Sequence, residues 1–101
     1  MNEINMQQYL ITAWDATDEQ ALERRMKARP GHFERAAKLK ANGNLIMGGA
    51  MLDDTGKMIG STMVVQFERE QELLDWLDSE PYVVGKVWHK IDTRPFKVAN
   101  V

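Results

Sequence analysis

The chain has 101 residues, of which 44% are hydrophobic and 28% charged, a composition typical of a folded globular protein. Thirteen basic and fifteen acidic residues give a formal charge of −2, which argues against a nucleic-acid partner. The absence of cysteine excludes disulfides and thiol nucleophiles and fits a cytoplasmic protein, and no stretch is apolar enough to predict a membrane span. We expect one domain over residues 1–101, with residues 1–7 as a flexible extension.

The first predicted elements are a strand and an interrupted helix. Residues 9–14 are aromatic and aliphatic, which predicts a strand buried on most of both faces. A helix is expected from Glu19. Because proline disfavours helical geometry in the preceding residue and suits a first helical turn, Pro30 predicts a kink and a second helix to about Asn42. His32 would then lie near a helix N-terminus, which weakly favours anions.

Two further features of this helical region concern its side chains. His32 shares a face with Ala36 and Leu39, so it borders the apolar side of the predicted helix. The run Arg24-Arg25-Met26-Lys27 follows acidic residues and predicts a solvated helix face.

The rest of the chain predicts two strands joined by a turn, then a helix, a short turn and a final strand. Their expected bounds are Leu45 to Leu52, Lys57 to Phe67, Arg69 to about Ser79, and Lys86 to about Val98. The order β-α-β-β-α-β is that of an α+β, ferredoxin-like fold, in which four strands form an antiparallel sheet with both helices on one face. The opposite face carries enough apolar residues to need a cover, and a second copy in a homodimer is the expected cover.

The order and spacing of several short motifs resemble the YciI (YCII-related) family over about residues 9–98. These motifs are Arg29-x-x-His32, Gly43-x-Leu45, Gly48-Gly49, Asp53-Asp54-x-Gly56, Gly60-Ser61, Pro81-Tyr82 and Arg94-Pro95-Phe96. The resemblance implies a dimeric α+β barrel, a small cleft near a histidine, and a His–Asp pair as the proposed active centre. It also implies kinship with an enzyme that removes HCl from a chlorinated hydroxyhydroquinone.

The chain departs from that family pattern at two positions. Glu80 stands where the family usually has aspartate before Pro-Tyr, and Ala50 stands where proline usually follows glycine. Glutamate keeps the carboxylate but adds a methylene, which changes its reach toward a histidine.

His32 is the strongest candidate for chemistry, because an imidazole can take up and release a proton near pH 7. Glu80 would orient the ring and stabilise the imidazolium, and Asp53 is the alternative carboxylate. A purely structural His32, capping a helix end or hydrogen-bonded in a packed core, is the competing interpretation.

Four residues are candidates for contact with a substrate. Arg29 would hold an anionic group or pair with Glu80, unless it is a surface arginine at a kink. Ser61 would donate a hydrogen bond to a ligand oxygen, and it lacks the flanking sequence of a nucleophile elbow. Gly49 would let a ligand approach the backbone or relieve crowding in the sheet, and Tyr82 would offer its hydroxyl or simply pack.

Two functions fit these residues, and a third, that of a purely structural dimerisation module, fits the glycine-lined strands and the polar His32 face less well. The first is a cofactor-independent lyase or isomerase that moves a proton on a small polar, possibly aromatic molecule. The second is a small-ligand-binding or stress-accessory dimer without turnover. No glycine run matches a phosphate loop or dinucleotide fingerprint, and His32 with His89 lacks a spaced carboxylate motif, so neither a cofactor nor a metal is expected.

Overall fold

The computed structural model describes residues 5–101. Its elements are β1 (Gln7–Asp15), α1 (Ala21–Ala41), β2 (Leu45–Leu52), β3 (Met58–Phe67), α2 (Glu70–Ser79), α3 (Pro81–Val84) and β4 (Trp88–Phe96). The predicted extension over residues 1–7 falls partly outside the described residues, which exclude 1–4. It was wrong at Gln7, which is the first residue of β1.

The four strands form one antiparallel sheet in the order β2-β3-β1-β4, with the helices on one face, so the predicted α+β ferredoxin-like fold is confirmed. Pairing of Tyr9 with Val65 and of Ile11 with Met63 brings the buried side chains of β1 and β3 to the helix-covered face. Between sheet and helices lies the core: Tyr9, Ile11, Ala13, Met63, Val65, Phe67, Leu73, Trp76, Tyr82, Val87 and Trp88.

The burial of β1 alternates, and the prediction that it is buried on most of both faces was wrong. Ile11 and Ala13 on the helix side are fully buried, whereas Leu10 and Thr12 are only partly covered and Trp14 is exposed. The physical reason is that helices cover a single face of the sheet, so the side chains on the other face stay partly or fully exposed.

Helix α1 is continuous from Ala21 to Ala41, so the predicted division into two helices at Pro30 was wrong. Proline inside a helix removes one backbone hydrogen bond. Pro30 is exposed, and Arg25 and His32 on either side of it are buried, so tertiary packing holds both halves in one helix. His32 therefore lies within a helix, and the expected anion preference of a helix N-terminus does not apply to it.

The ends of the elements explain two smaller differences. Gly43 has a φ of 80° and ends α1, as the sequence predicts, because glycine adopts this left-handed conformation without steric cost. Strand β4 begins at Trp88 instead of Lys86, since Val87 still belongs to the preceding turn and its N–H donates to the Tyr82 carbonyl. None of the helices in the described part of the chain is both long and apolar enough to cross a membrane.

Candidate active site

His32 and Glu80 form a buried pair between α1 and the junction of α2 with α3. The Nδ1 atom of His32 is hydrogen-bonded to Oε1 of Glu80, whose residue is only 1% exposed. The same carboxylate oxygen accepts the backbone N–H of Tyr82 at 3.2 Å and so caps the short helix α3. An ionised Glu80 accepts both bonds, which leaves the proton of a neutral His32 on Nδ1.

The second ring nitrogen of His32 is open to a cleft. Nε2 has no hydrogen-bond partner among the described residues, and it keeps some exposure to solvent. His32 lines a cleft of about 270 Å³ between α1 and strands β2 and β3. The polar part of this lining comes from Arg25, Arg29, Ser61 and Tyr82 besides His32, and the apolar part includes Phe33, Leu45 and Met63. A ligand in the cleft can therefore reach the second ring nitrogen of His32.

Aromatic side chains hold the His32 ring in place. The Tyr82 ring stacks on it with 4.0 Å between centroids and 15° between planes, and Trp88 meets it edge-on at 6.1 Å. Burial raises the pKa of the Tyr82 phenol, an effect that the nearby positive charges of Arg25 and Arg29 oppose. A ring packed in this way has little rotational freedom, which favours a defined direction for Nε2.

A second buried network adjoins the same cleft and centres on Arg25. Its Nη1 atom donates to both carboxylate oxygens of Asp15 at 3.0 Å, and its Nη2 atom donates to Ser61 Oγ at 3.0 Å. Trp88 Nε1 donates to the same Ser61 oxygen at 3.2 Å. Burial raises the pKa of the Asp15 carboxyl, and the hydrogen bonds from Arg25 oppose that shift.

Arg25 was missed as a site residue, and its assignment to a solvated helix face was wrong, since it is 3% exposed. A usable signal was its position about two helical turns before His32, which places both side chains on one face of a continuous helix. The predicted break at Pro30 hid that relationship. Arg24, its neighbour in sequence, does lie toward solvent and pairs with Asp18.

The other predicted residues fall at or near the cleft in different ways. Arg29 lines it, with its guanidinium carbon 4.7 Å from the centre of the Phe33 ring, and makes no ion pair with Glu80. Gly49 also lines it, and a β-carbon there would meet no atom within 4 Å, so crowding does not require a glycine. Asp53 lies in the β2–β3 turn, where its carboxylate accepts the backbone N–H groups of Thr55 and Lys57. Glu80, and not Asp53, is thus the carboxylate that contacts His32.

The described residues contain no group of three or more histidine, aspartate or glutamate side chains placed to hold a metal ion. His89, the second histidine, is exposed on β4.

Comparison with known proteins gives consistent matches over most of the chain. The model of the YCII-related domain matches residues 8–97. The YciI protein of Escherichia coli is 35% identical over 95 residues, which cover 88% of this chain and 95% of that protein. An uncharacterized protein of Haemophilus influenzae is 34% identical over the same shares of both chains.

A solved structure shares the fold. It is 5-chloro-2-hydroxyhydroquinone dehydrochlorinase from Burkholderia phenoliruptrix AC1100 in complex with 2,5-dihydroxybenzoquinone, which superposes with a TM-score of 0.78. The match covers 91% of this chain and 95% of the dehydrochlorinase chain, at 21% identity.

Proposed function

The chain belongs to the YCII-related family, and on that basis we propose that it is a small cofactor-independent enzyme that moves a proton with His32 and Glu80. The observation that carries the proposal is the buried hydrogen bond from His32 Nδ1 to Glu80, with Nε2 unpaired at a residue that lines the cleft. A histidine so oriented is a general base at neutral pH, and the carboxylate stabilises the imidazolium that forms.

The reaction class that we propose is a lyase or isomerase reaction on a small polar, aromatic or enolisable molecule. Nε2 of His32 takes a proton from the substrate, and the electrons left behind move toward a conjugated oxygen of the substrate or expel a leaving group as an anion. In a dehydrochlorination the leaving group is chloride, and the proton on His32 returns to solvent. The dehydrochlorinase that shares the fold makes this class the first to test.

Substrate contacts in this proposal come from the remaining cleft residues. Arg29 attracts a negatively charged group, and Ser61 donates a hydrogen bond to a substrate oxygen. Tyr82 offers a hydroxyl that has no hydrogen-bond partner among the described residues, and Gly49 presents backbone. The largely apolar remainder of the lining suits a flat ring.

We also propose that the enzyme is a homodimer, built by packing the helix-free faces of two sheets together. By strand register that face carries Trp14, Met47 and Phe96, all of them large and exposed in the subunit. An exposed apolar sheet face of this kind marks an interface. We place the dimer in the cytoplasm, consistent with a chain that has no cysteine.

Turnover of 5-chloro-2-hydroxyhydroquinone, followed as chloride release, tests the proposal with wild-type protein and His32→Gln. We expect the variant to lose at least about 10²-fold in kcat/KM, the lower range for a general base, while its melting temperature stays near that of the wild type. Asp53→Asn is the matched control and should keep full activity. Unfolding of both His32→Gln and His32→Ala would make the histidine structural. Ligand binding without turnover in the wild type would support the alternative, a non-catalytic binding or stress-accessory dimer.

A further inference from the structure

Ser61 has a hydrogen-bond donor that the protein itself does not use. Its oxygen accepts Nη2–H of Arg25 at 3.0 Å and Nε1–H of Trp88 at 3.2 Å, and both partners can only donate. These two bonds occupy the oxygen's two acceptor positions, so the hydroxyl hydrogen remains available for donation. No described residue supplies an acceptor for it, although Ser61 is only 2% exposed and lines the cleft beside His32.

The groups behind Ser61 keep this donor in place. Asp15 holds Arg25 through both carboxylate oxygens, and the Arg25 guanidinium also lies 4.8 Å from the centre of the Tyr82 ring. Trp88 is buried at the start of β4. An oxygen that accepts two N–H bonds, one of them from a cation, becomes a stronger donor through its own hydrogen. The arrangement is therefore ready to receive an electron-rich ligand oxygen without reorganising.

The charges around Ser61 determine which kind of ligand oxygen the cleft favours. Asp15 offsets the charge of Arg25, so Arg29 is the one cation of the cleft lining that has no carboxylate partner among the described residues. Ser61 therefore offers a polarised hydroxyl in a site with a single uncompensated positive charge. A phosphate, which gathers several donors and more than one positive charge, is poorly matched to it. Phe33, Leu45 and Met63 line the same space and suit a flat hydrocarbon. A ring whose negative charge is spread over conjugated oxygens satisfies both conditions.

We propose that Ser61 is the oxyanion donor of the cleft, aligned by Arg25, Asp15 and Trp88 as positioning residues, and that the ligand is a planar phenolate or enolate with delocalised charge. This inference rests on the proposed function in using the same cleft, and it names the substrate class. In this assignment Ser61 donates its hydrogen bond to the substrate oxygen that gains negative charge, and His32 accepts the substrate proton.

Equilibrium binding of 2,5-dihydroxybenzoquinone, an acidic and coloured planar molecule, tests the inference through its visible absorbance. The matched ligand is 2,5-dimethoxy-1,4-benzoquinone, which has the same ring but cannot ionise. We expect Ser61→Ala to weaken binding of the acid about 10-fold to 100-fold, the loss of one hydrogen bond to a charged group, and to leave binding of the dimethoxy compound nearly unchanged. Trp88→Phe should give a smaller loss for the acid alone, and inorganic phosphate should not compete.

A measurement on the wild type covers the case in which Ser61→Ala fails to fold, since that change leaves two buried donors without an acceptor. Binding of the acid should shift the indole N–H resonance of Trp88, identified by its absence from Trp88→Phe, and the dimethoxy compound should not. Any of three outcomes would overturn the inference. The wild type and Ser61→Ala could bind the acid with equal affinity, the wild type could fail to bind the acid, or both ligands could shift the Trp88 resonance equally.

Glu80→Gln separates this inference from the proposed function. The variant should bind 2,5-dihydroxybenzoquinone with nearly wild-type affinity, because Glu80 does not line the cleft, while it loses turnover. Retained turnover in Glu80→Gln contradicts the proton-transfer proposal alone. If Ser61→Ala binds 2,5-dihydroxybenzoquinone as tightly as the wild type does, the result contradicts the oxyanion site alone.

Discussion

Glu80 meets His32 through a carboxylate that is already held in place by the backbone, although the two residues are 48 positions apart in the chain. Glu80 has an extended conformation, with φ of −64° and ψ of 127°, between α2 and α3. Its Oε1 accepts the N–H of Tyr82 as the cap of α3 and is hydrogen-bonded to His32 Nδ1 as well. The cap limits the rotamers of the longer side chain, which explains how glutamate contacts the histidine from a position where the family usually has aspartate.

Glu80→Gln should lower kcat by about 10²-fold or more, because an amide keeps the cap to Tyr82 but cannot stabilise a positive imidazolium. Glu80→Asp should lower it less, since the carboxylate remains but is one methylene shorter and loses its hydrogen-bonding distance to His32. The measurement is steady-state turnover beside thermal unfolding. A Glu80→Gln enzyme with wild-type kcat would show that the carboxylate has no part in proton transfer.

Asp15→Asn should destabilise the subunit by about 3 kcal/mol or more, because it leaves the buried guanidinium of Arg25 without its counter-charge. Asp18→Asn is the matched control: it removes the same kind of partner from Arg24, which is partly exposed, and should change stability only slightly. Urea unfolding of both variants gives the comparison. Equal effects of the two substitutions would contradict a special role for the buried pair.

Both tyrosines should resist ionisation in the folded protein, because burial raises the pKa values of Tyr9 and Tyr82 above 10.0. A raised phenol pKa favours the folded state while the phenol stays neutral. This contribution is complete below pH 10 and is lost as the pH rises through the folded-state pKa values. An alkaline titration at 295 nm should therefore show less than half of the phenolate at pH 10 for native protein, and about half for protein in denaturant. The Tyr82→Phe variant identifies which part of the absorbance change belongs to Tyr82. A Tyr82 phenol that is half ionised at or below pH 10 in the native protein would contradict its burial.

Met47→Glu should convert the proposed dimer to a monomer, because it puts a charge on the helix-free face of the sheet that the partner would bury. Leu74→Glu is the matched control, since Leu74 is also exposed but lies on α2, in the layer on the opposite side of the sheet. Light scattering coupled to size-exclusion chromatography gives the mass of each. A wild-type monomer, or a dimeric Met47→Glu variant, would show that the sheet face is not the interface.

The order of the elements could be predicted from the sequence by itself, and the sequence also suggested His32 as a candidate site residue. Alternation of side chains in β3 and helical spacing elsewhere are local patterns with periods of two and 3.6 residues, so they can be recognised without knowing the contacts. His32 stood out because the chain has two histidines and no cysteine. The family motifs then led to the correct family, which the match over residues 8–97 confirms.

Only the tertiary structure decided which groups meet. Continuity of α1 through Pro30 depends on the packing of both halves, and that continuity brings Arg25 to the same face as His32. The contact of His32 with Glu80, and not with Asp53, joins residues far apart in the chain. The same is true of the two hydrogen bonds that Ser61 accepts, one from Arg25 on α1 and one from Trp88 on β4. Local patterns do not encode such pairings, because they arise when separate elements pack around one core.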